Sequence, residues 1–581
     1  MTFVQQGVLP ILPHELRVFK HNQENAQRAA ANLASSTCWV FGLALSQKDD
    51  GVFAVATQDE IYFIDAKDAP PSKLDTLFYK LLASEGKSLA GFGMVKLALR
   101  LHEHFHHRIR GVDLSTMFLN ASEGAVPPSK VIQKSGLCRL TNTFRVDRLW
   151  HQNNKQEGFE HLCLRAWISA KVANCASSVP VIRSAQKVDT NLVEDEILAC
   201  LSTLVEQNDM LARALPLVSN NEFESFELDK QGKMKVVNSR YKTRVRHNSS
   251  NQSYIEVKDQ NGSKHKGSTT GAKGKTTGLK FQKSIPKTGP IESVSVVGLE
   301  DLTPAEKAQD ALLLRILQGK VSILDAPFVR YLWFVQTKED EECLRASTEV
   351  FDETEYTSHL NQSQIQVVGA MTATTGSPVV VVHGPPGTGK TSTIVAAAET
   401  WSKKLLEPVW IIGNSNVTVK NIAEKLLQRN VDFKLIVSVE FYVEWHEHIY
   451  KRIQGKLIRT DQLPKDRFAL SQEIGSSTVI LSTLALLANP NLERKGVFDI
   501  VPVQNLVVDE ASQINHVFYE LRKTLKRVCF SGDPKQLPPY GKEQCKSLKS
   551  VFELAHLDNC FLNTQCESFC LSSSFQLTLV Y

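Results

Sequence analysis

No apolar run in this sequence is long enough to cross a membrane as a helix. The longest stretches, Val379 to Val382 and Val479 to Leu487, fall far below the ~18–20 residues a spanning helix needs. The opening MTFVQQGVLPILPHELRVFK lacks the basic region and apolar core of a secretion signal. The 11 cysteines form no CxxC pair, which argues against a zinc ribbon or a disulfide framework and for reduced thiols. Cys560, Cys566 and Cys570 crowd together at spacings that match no common zinc pattern. These absences lead us to expect an intracellular protein, nuclear or cytoplasmic, with no membrane partner. KTRVRH, from Lys242 to His247, is too short and mixed to choose between the two compartments.

What is present is a globular composition, 42% hydrophobic and 22% charged over 581 residues, enough for about three or four domains. The net charge of +5 is unevenly spread. Between Lys230 and Pro290 stand 15 Lys and Arg against only Glu256 and Asp259, a local +13 that leaves −8 for the rest. GSKHKGSTTGAKGKTTG in that stretch has little periodicity, so 238–290 reads as a mobile basic linker. It suits either a nonspecific nucleic-acid tether, through counterion release, or a solvated spacer.

Further organisation follows the periodicities. CWVFGLAL, GVFAVAT and EIYFIDA read as strands ahead of a helix from Met94 to His107. DTNLVEDEILACLSTLVEQNDMLARAL places Val193, Ile197, Leu201 and Leu204 on one helical face, and TPAEKAQDALLLRILQGK reads as a capped amphipathic helix. The resulting map has an extension (1–36), an α/β domain (37–180), a helical connector (181–237), the linker (238–290), a helical region (291–359), a P-loop domain (360–565) and an atypical tail (566–581).

VVVVHGPPGTGKTSTIVAAAE, from Val379 to Glu399, carries the strongest chemistry. A β-branched strand runs into Gly384, Gly387, Thr388, Gly389, Lys390, Thr391 and Ser392 and then a helix, the context a phosphate-binding loop requires. Inward-turned backbone N–H groups, the helix dipole and the Lys390 charge would hold the phosphates of ATP. Thr391 Oγ would hold Mg²⁺.

Two family resemblances extend this reading. GLALS, LAGFGMVKLALRL and RAWISAKVA resemble the RNase D-type 3′-5′ exonuclease domain of the ribonuclease H-like fold. That family holds two metal ions on four carboxylates, whereas Ala44, Ser46, Leu97 and Lys171 stand at those points here. The resemblance therefore implies a degenerate exonuclease-like domain kept for binding or packing, protein partners included. His102, Glu103 and His106 match H-E-x-x-H, but the stripe Leu97, Leu101, Phe105 puts both histidines on its solvent-facing flank.

The second resemblance, from about Leu360 to Pro539, is to the first RecA-like domain of superfamily 1 helicases of the Upf-like type. LNQSQ precedes the phosphate loop, and GNSNVTVKNIAEKL, LSTLA, NLVVDEASQ and SGDPKQLPP follow it in family order. The resemblance implies that Gln364 reads adenine, and that Asn414, Ser415, Asn416, Ser482 and Thr483 grip single-stranded RNA or DNA. Asp509 would support the Mg²⁺ bound by Thr391, Glu510 would deprotonate the attacking water, and Gln536 would sense the γ-phosphate. After Pro539 the chain has too few residues for the family's second lobe, and CESFCLSSSFQLTLVY replaces the expected sequence. A shortened product, weak or inactive alone, is the expectation.

The expected fold class is thus α/β, a ribonuclease H-like mixed sheet and then a P-loop RecA-like parallel α/β domain, joined by a helical and disordered basic linker. Two functions stay open: an ATP-driven helicase acting on single strands, or a non-catalytic nucleic-acid-binding adaptor.

Overall fold

The computed structural model describes residues 2–4, 8–9, 15–22, 26–47, 51–67, 87–118, 125–138, 143–150, 158–215, 218–228, 233–239, 245, 253–273, 275–281, 291–298, 304–335, 337–345, 350–438, 442, 451–514, 524–554, 556–557 and 559–562. The 566–581 tail, with Cys566 and Cys570, and all of KTRVRH except Val245 lie outside them. Two compact units form, Met1–Ser322 with Glu543–Cys545, and Ile323–Lys542 with Lys546–Tyr581.

The first unit opens with a mixed sheet of β1 (Thr2–Val4), β2 (Glu15–Asn22), β3 (Val40–Leu45), β4 (Val52–Ala56), β5 (Glu60–Asp65), β6 (Ser88–Gly91), β7 (Arg110–Asp113) and β8 (Val188–Asp189). Their order is β1-β2-β5-β4-β3-β6-β7-β8. β3, β4 and β5 form an antiparallel meander, while β6 and β7 join β3 in parallel. VFGLAL and VFAVA are buried at every position, which is why they read as unbroken apolar runs. The sheet also takes in β2, parallel to β5, so the segment before residue 37 belongs to the domain rather than extending from it.

Helix α1 (Met94–Phe105) and α2 (Phe159–Ala173) cover this sheet. α2 lies so close to β3 that a Cβ on Gly42 would stand 2.0 Å from Ala166 O. Only glycine fits there. Asp113, at the end of β7, is buried and accepts the N–H groups of Met94 (2.8 Å) and Ser115 (2.9 Å). Ala44 and Ser46 are buried, and Lys171 lies 3.8 Å from Asp59.

His102 departs from expectation. It is 6% exposed, packed toward α3 (Asp195–Ala214) with Nε2 3.2 Å from Asp195 Oδ1. His106 sits past the helix end with φ 56°. The flank of the apolar stripe at His102 is therefore an interhelical contact and not a solvent face. Among the described residues no group of three or more His, Cys, Asp or Glu is placed to hold a metal.

The largest correction concerns the basic segment. Instead of a structureless linker, 218–298 holds β9 (Val218–Asn221), β10 (Phe223–Leu228), β11 (Lys233–Asn238), β12 (Ser253–Asp259), β13 (Lys264–Lys273), β14 (Thr276–Phe281) and β15 (Ile291–Gly298). The order is β10-β11-β14-β13-β12-β15-β9. β9 and β10 occupy opposite edges although only Glu222 separates them in the chain, so the sheet must curl round into a barrel. Met234, Val236, Ile255, Val257, Leu279 and Val294 fill it. The connector accordingly has α3 as its long helix, and no helix of the described residues between α3 and β15 precedes α4 (Pro304–Leu317).

The second unit is a doubly wound parallel sheet of β16 (Val379–His383), β17 (Val409–Gly413), β18 (Phe433–Val437), β19 (Leu457–Arg459), β20 (Val479–Thr483), β21 (Asn505–Asp509), β22 (Arg527–Gly532) and β23 (Asn559–Phe561). All neighbours are parallel, in the order β19-β18-β20-β17-β21-β22-β16-β23. Helices α5 (Gln362–Thr372), α6 (Lys390–Glu399) and α7 (Asn416–Gln428) accompany it. Open parallel sheets bind ligands beyond the carboxyl ends of their strands, and the quoted motifs follow the ends of β16, β17, β20, β21 and β22.

Candidate nucleotide and strand site

β16 is apolar through Val382 and releases the chain at His383. Gly387 and Gly389 then take φ of 78°, a left-handed conformation that glycine reaches without Cβ strain. Gly389 caps α6, whose first residue is Lys390. Space is tight at Gly384, where a Cβ would stand 2.8 Å from both Lys390 Cγ and Thr388 Oγ1. The loop is thus a glycine-shaped cradle at a helix N-terminus, with Lys390 Nζ donating to Gly384 O at 2.5 Å.

Two further elements brace the loop. Thr388 Oγ1 donates to Pro385 O at 2.8 Å, and its own carbonyl accepts Gln364 Nε2 at 3.0 Å. Gln364 also forms a capping box with Asn361, its Oε1 accepting Asn361 N–H at 3.0 Å. Both ends of the Gln364 amide are engaged and the side chain is 2% exposed, so it braces the loop from the interior. Ser392 accepts Lys425 Nζ at 3.1 Å, and Thr391 is half-buried in the first turn of α6.

Asp509 closes β21 and is 4% exposed. Burial and the neighbouring Glu510 carboxylate push its pKa up to about 6, while Lys390 pulls it down. Its Oδ1 is buried without a hydrogen-bond partner, a need that a bound cation or water would satisfy. Glu510 adopts φ 56°, an uncommon conformation for a non-glycine residue. The chemistry of this set fits a Mg²⁺-bound nucleoside triphosphate: backbone donors and Lys390 for phosphate, Thr391 and Asp509 for metal.

The β22 end carries a relay that the sequence motifs contain but do not disclose. Asp533 accepts Gln536 Nε2 at 2.7 Å and Lys535 N–H at 3.0 Å, and lies 3.2 Å from His383 Nε2. His383 belongs to the strand entering the phosphate loop, so the Gln536 amide is oriented from the loop's own base. These hydrogen bonds hold the Asp533 carboxyl below its ordinary range despite burial.

Residues 359–551 match the AAA domain family. The chain is 25% identical to DNA-binding protein SMUBP-2 of Rattus norvegicus over 237 residues, 33% of this chain and 23% of the rat protein. The SMUBP-2 protein of Mesocricetus auratus gives the same identity and coverage. The chain thus spans about a quarter of the length of these relatives in the match. Among solved structures, an arterivirus nonstructural protein 10 helicase with DNA aligns over 53% of this chain and 47% of its own at 13% identity, with a TM-score of 0.21. The Sulfolobus solfataricus SWI2/SNF2 ATPase core with dsDNA aligns over 36% and 38% at 19% identity, with a TM-score of 0.22. At those scores neither superposition bears on function.

The residues expected to contact a strand diverge in the P-loop domain. Asn414 is exposed past β17 and donates from Nδ2 to Gln513 Oε1 at 2.8 Å. Ser415 caps α7 by accepting Thr418 N–H at 3.2 Å, and Asn416 begins that helix. Thr483 is half-buried at the end of β20. Ser482 is 0% exposed, which puts its hydroxyl in the interior and away from any strand.

Proposed function

We propose that the AAA domain binds ATP with Mg²⁺ and hydrolyses it in connection with movement on single-stranded nucleic acid, in the manner of superfamily 1 helicases. The carrying observation is the convergence of Lys390, on its glycine cradle, with the buried, partnerless Asp509 oxygen. In this reading Lys390 and the loop N–H groups neutralise the phosphates, and Thr391 with Asp509 positions the metal, which supplies charge neutralisation at the reacting phosphate. Glu510 accepts a proton from the attacking water. Gln536, tied through Asp533 to His383, presents its amide oxygen as the free acceptor. Asn414, Ser415, Asn416 and Thr483 serve the strand.

The sheet order of the N-terminal domain supports the ribonuclease H-like reading, and the absence of carboxylates at Ala44, Ser46, Leu97 and Lys171 supports a binding or packing role there. The test is ATP turnover with and without single-stranded RNA or DNA, compared among the wild type, Lys390→Ala and Glu510→Gln. Stimulation by nucleic acid that both substitutions abolish supports the enzyme. Strand binding without turnover in any sample overturns it in favour of an adaptor.

A further inference from the structure

The barrel and the N-terminal sheet share no strand pairing. The chain enters the barrel from α3 and leaves it toward α4, and the first and last strands between them, β9 and β15, are paired to each other. The two helices therefore stand together where they meet the barrel, with Asn208 Nδ2 3.4 Å from Gln309 Oε1. Whatever holds this helix pair also holds the barrel.

The N-terminal domain grips the pair along its length. At the start of α3, Arg108 donates to Thr190 O at 2.7 Å, to Val193 O at 2.9 Å and to Asp195 Oδ1 at 2.7 Å. Just past α4, Gln318 accepts Gln186 Nε2 on its carbonyl at 2.6 Å and returns its own amide to Gln186 O at 3.1 Å. Midway, Ser202 Oγ donates to Leu99 O at 3.0 Å. Nearest the barrel the contact is ionic: Lys96 of α1 places Nζ 3.4 Å from Asp209 Oδ1, on a side chain only 8% exposed. Asp310 and Glu306 of α4 act on the same ammonium, and although burial pushes the Lys96 pKa down, the three carboxylates together raise it. One lysine thus faces acidic groups from both helices. Removing one partner of such a set leaves the others uncompensated, whereas neutralising the whole set costs little.

We propose that the N-terminal domain is the holder of the barrel and that Lys96 is its latch, pinning Asp209 on the helix that enters the barrel together with Asp310 and Glu306 on the helix that leaves it. The barrel keeps a fixed attitude to the N-terminal sheet while the latch is closed and tilts when the Lys96 charge is lost. This gives a domain without nuclease carboxylates a mechanical task, and it stands independently of the nucleotide and strand reading.

The test uses the full chain with spin labels carried on p-acetylphenylalanine at Gln58, in an exposed turn of the N-terminal sheet, and at Asn261, in an exposed turn of the barrel. Double electron–electron resonance should give one narrow distance distribution for the wild type, a broad one for Lys96→Met, and a narrow one again for Lys96→Met combined with Asp209→Asn and Asp310→Asn. Amide exchange in 206–214 and 304–310 should rise roughly 10- to 100-fold in Lys96→Met and return in the neutral set, while β3 exchanges as in the wild type throughout. A Lys96→Met distribution as narrow as the wild type's overturns the latch, and so does a rise in exchange that β3 shares, the mark of a general loss of fold. A neutral set that stays broad denies that charge is the cause, and a wild type that is already broad overturns the holder itself.

Discussion

Gln364 Nε2 donates to the carbonyl oxygen of Thr388 at 3.0 Å, which ties the first turn of α5 to the phosphate loop. The amide therefore works as a structural brace. Gln364→Ala would strand the Thr388 carbonyl and the Asn361 N–H, at a cost of about 1–3 kcal/mol. We expect ATP and GTP affinities to fall together, measured with fluorescent nucleotides alongside urea denaturation. A loss confined to ATP would show base reading instead.

Asp509 links the site to pH. Its folded pKa of about 6 lies above the ordinary 3.8, so the folded state holds the proton more tightly than the unfolded state. The stability that Asp509 contributes is therefore fully present below pH 3.8, falls as pH rises, and is lost, by about 3 kcal/mol, once pH passes 6 in the absence of metal. Asp509→Asn should recover much of that at pH 7.5 and little at pH 4, by denaturation without Mg²⁺. Mg²⁺ competes with the same proton, so Mg²⁺-dependent nucleotide binding should weaken as pH drops through about 6.

Glu510 stores backbone strain at its φ of 56°, worth about 1–2 kcal/mol for a residue with a Cβ. Glu510→Gly should unfold at higher denaturant, by about 1 kcal/mol, and lose turnover by roughly 10²- to 10⁴-fold. A variant that lost stability as well as activity would deny that the strain is held for function.

The barrel makes the basic segment resistant to attack. Trypsin under native conditions should spare Lys258 and Lys266, which lie in paired strands, until the barrel opens. Ile255→Ala, which empties a core position, should cost about 2–5 kcal/mol and expose those sites. Rapid cleavage of the wild type there would contradict a folded barrel.

The P-loop domain was legible because its signals are local. VVVVH, the glycine loop and NLVVDE each declare strand, turn and chemistry within a few residues, and their order along the chain supplies the rest. The barrel was illegible for the opposite reason. KMKVVN alternates exposed and buried positions, as do SYIEVKD and TTGLKF in part, but Lys, Ser, Thr and Gly on the outer face outnumber the few inward apolar residues. Pairing partners far apart in sequence make those strands worth forming, since each alone buries almost nothing.

By itself the sequence determined the glycine loop with Lys390 and the Asp509–Glu510 pair at a strand end, because backbone conformation and side-chain chemistry there depend on adjacent residues. It also determined that Ala44, Ser46, Leu97 and Lys171 bring no carboxylate. Tertiary structure decided what each side chain is free to do. It turned Gln364 into a brace and Ser482 inward, moved His102 against Asp195, joined His383 to Asp533, and set Lys96 beside Asp209. Those outcomes depend on which atoms other elements bring within hydrogen-bonding distance, and no local pattern encodes that.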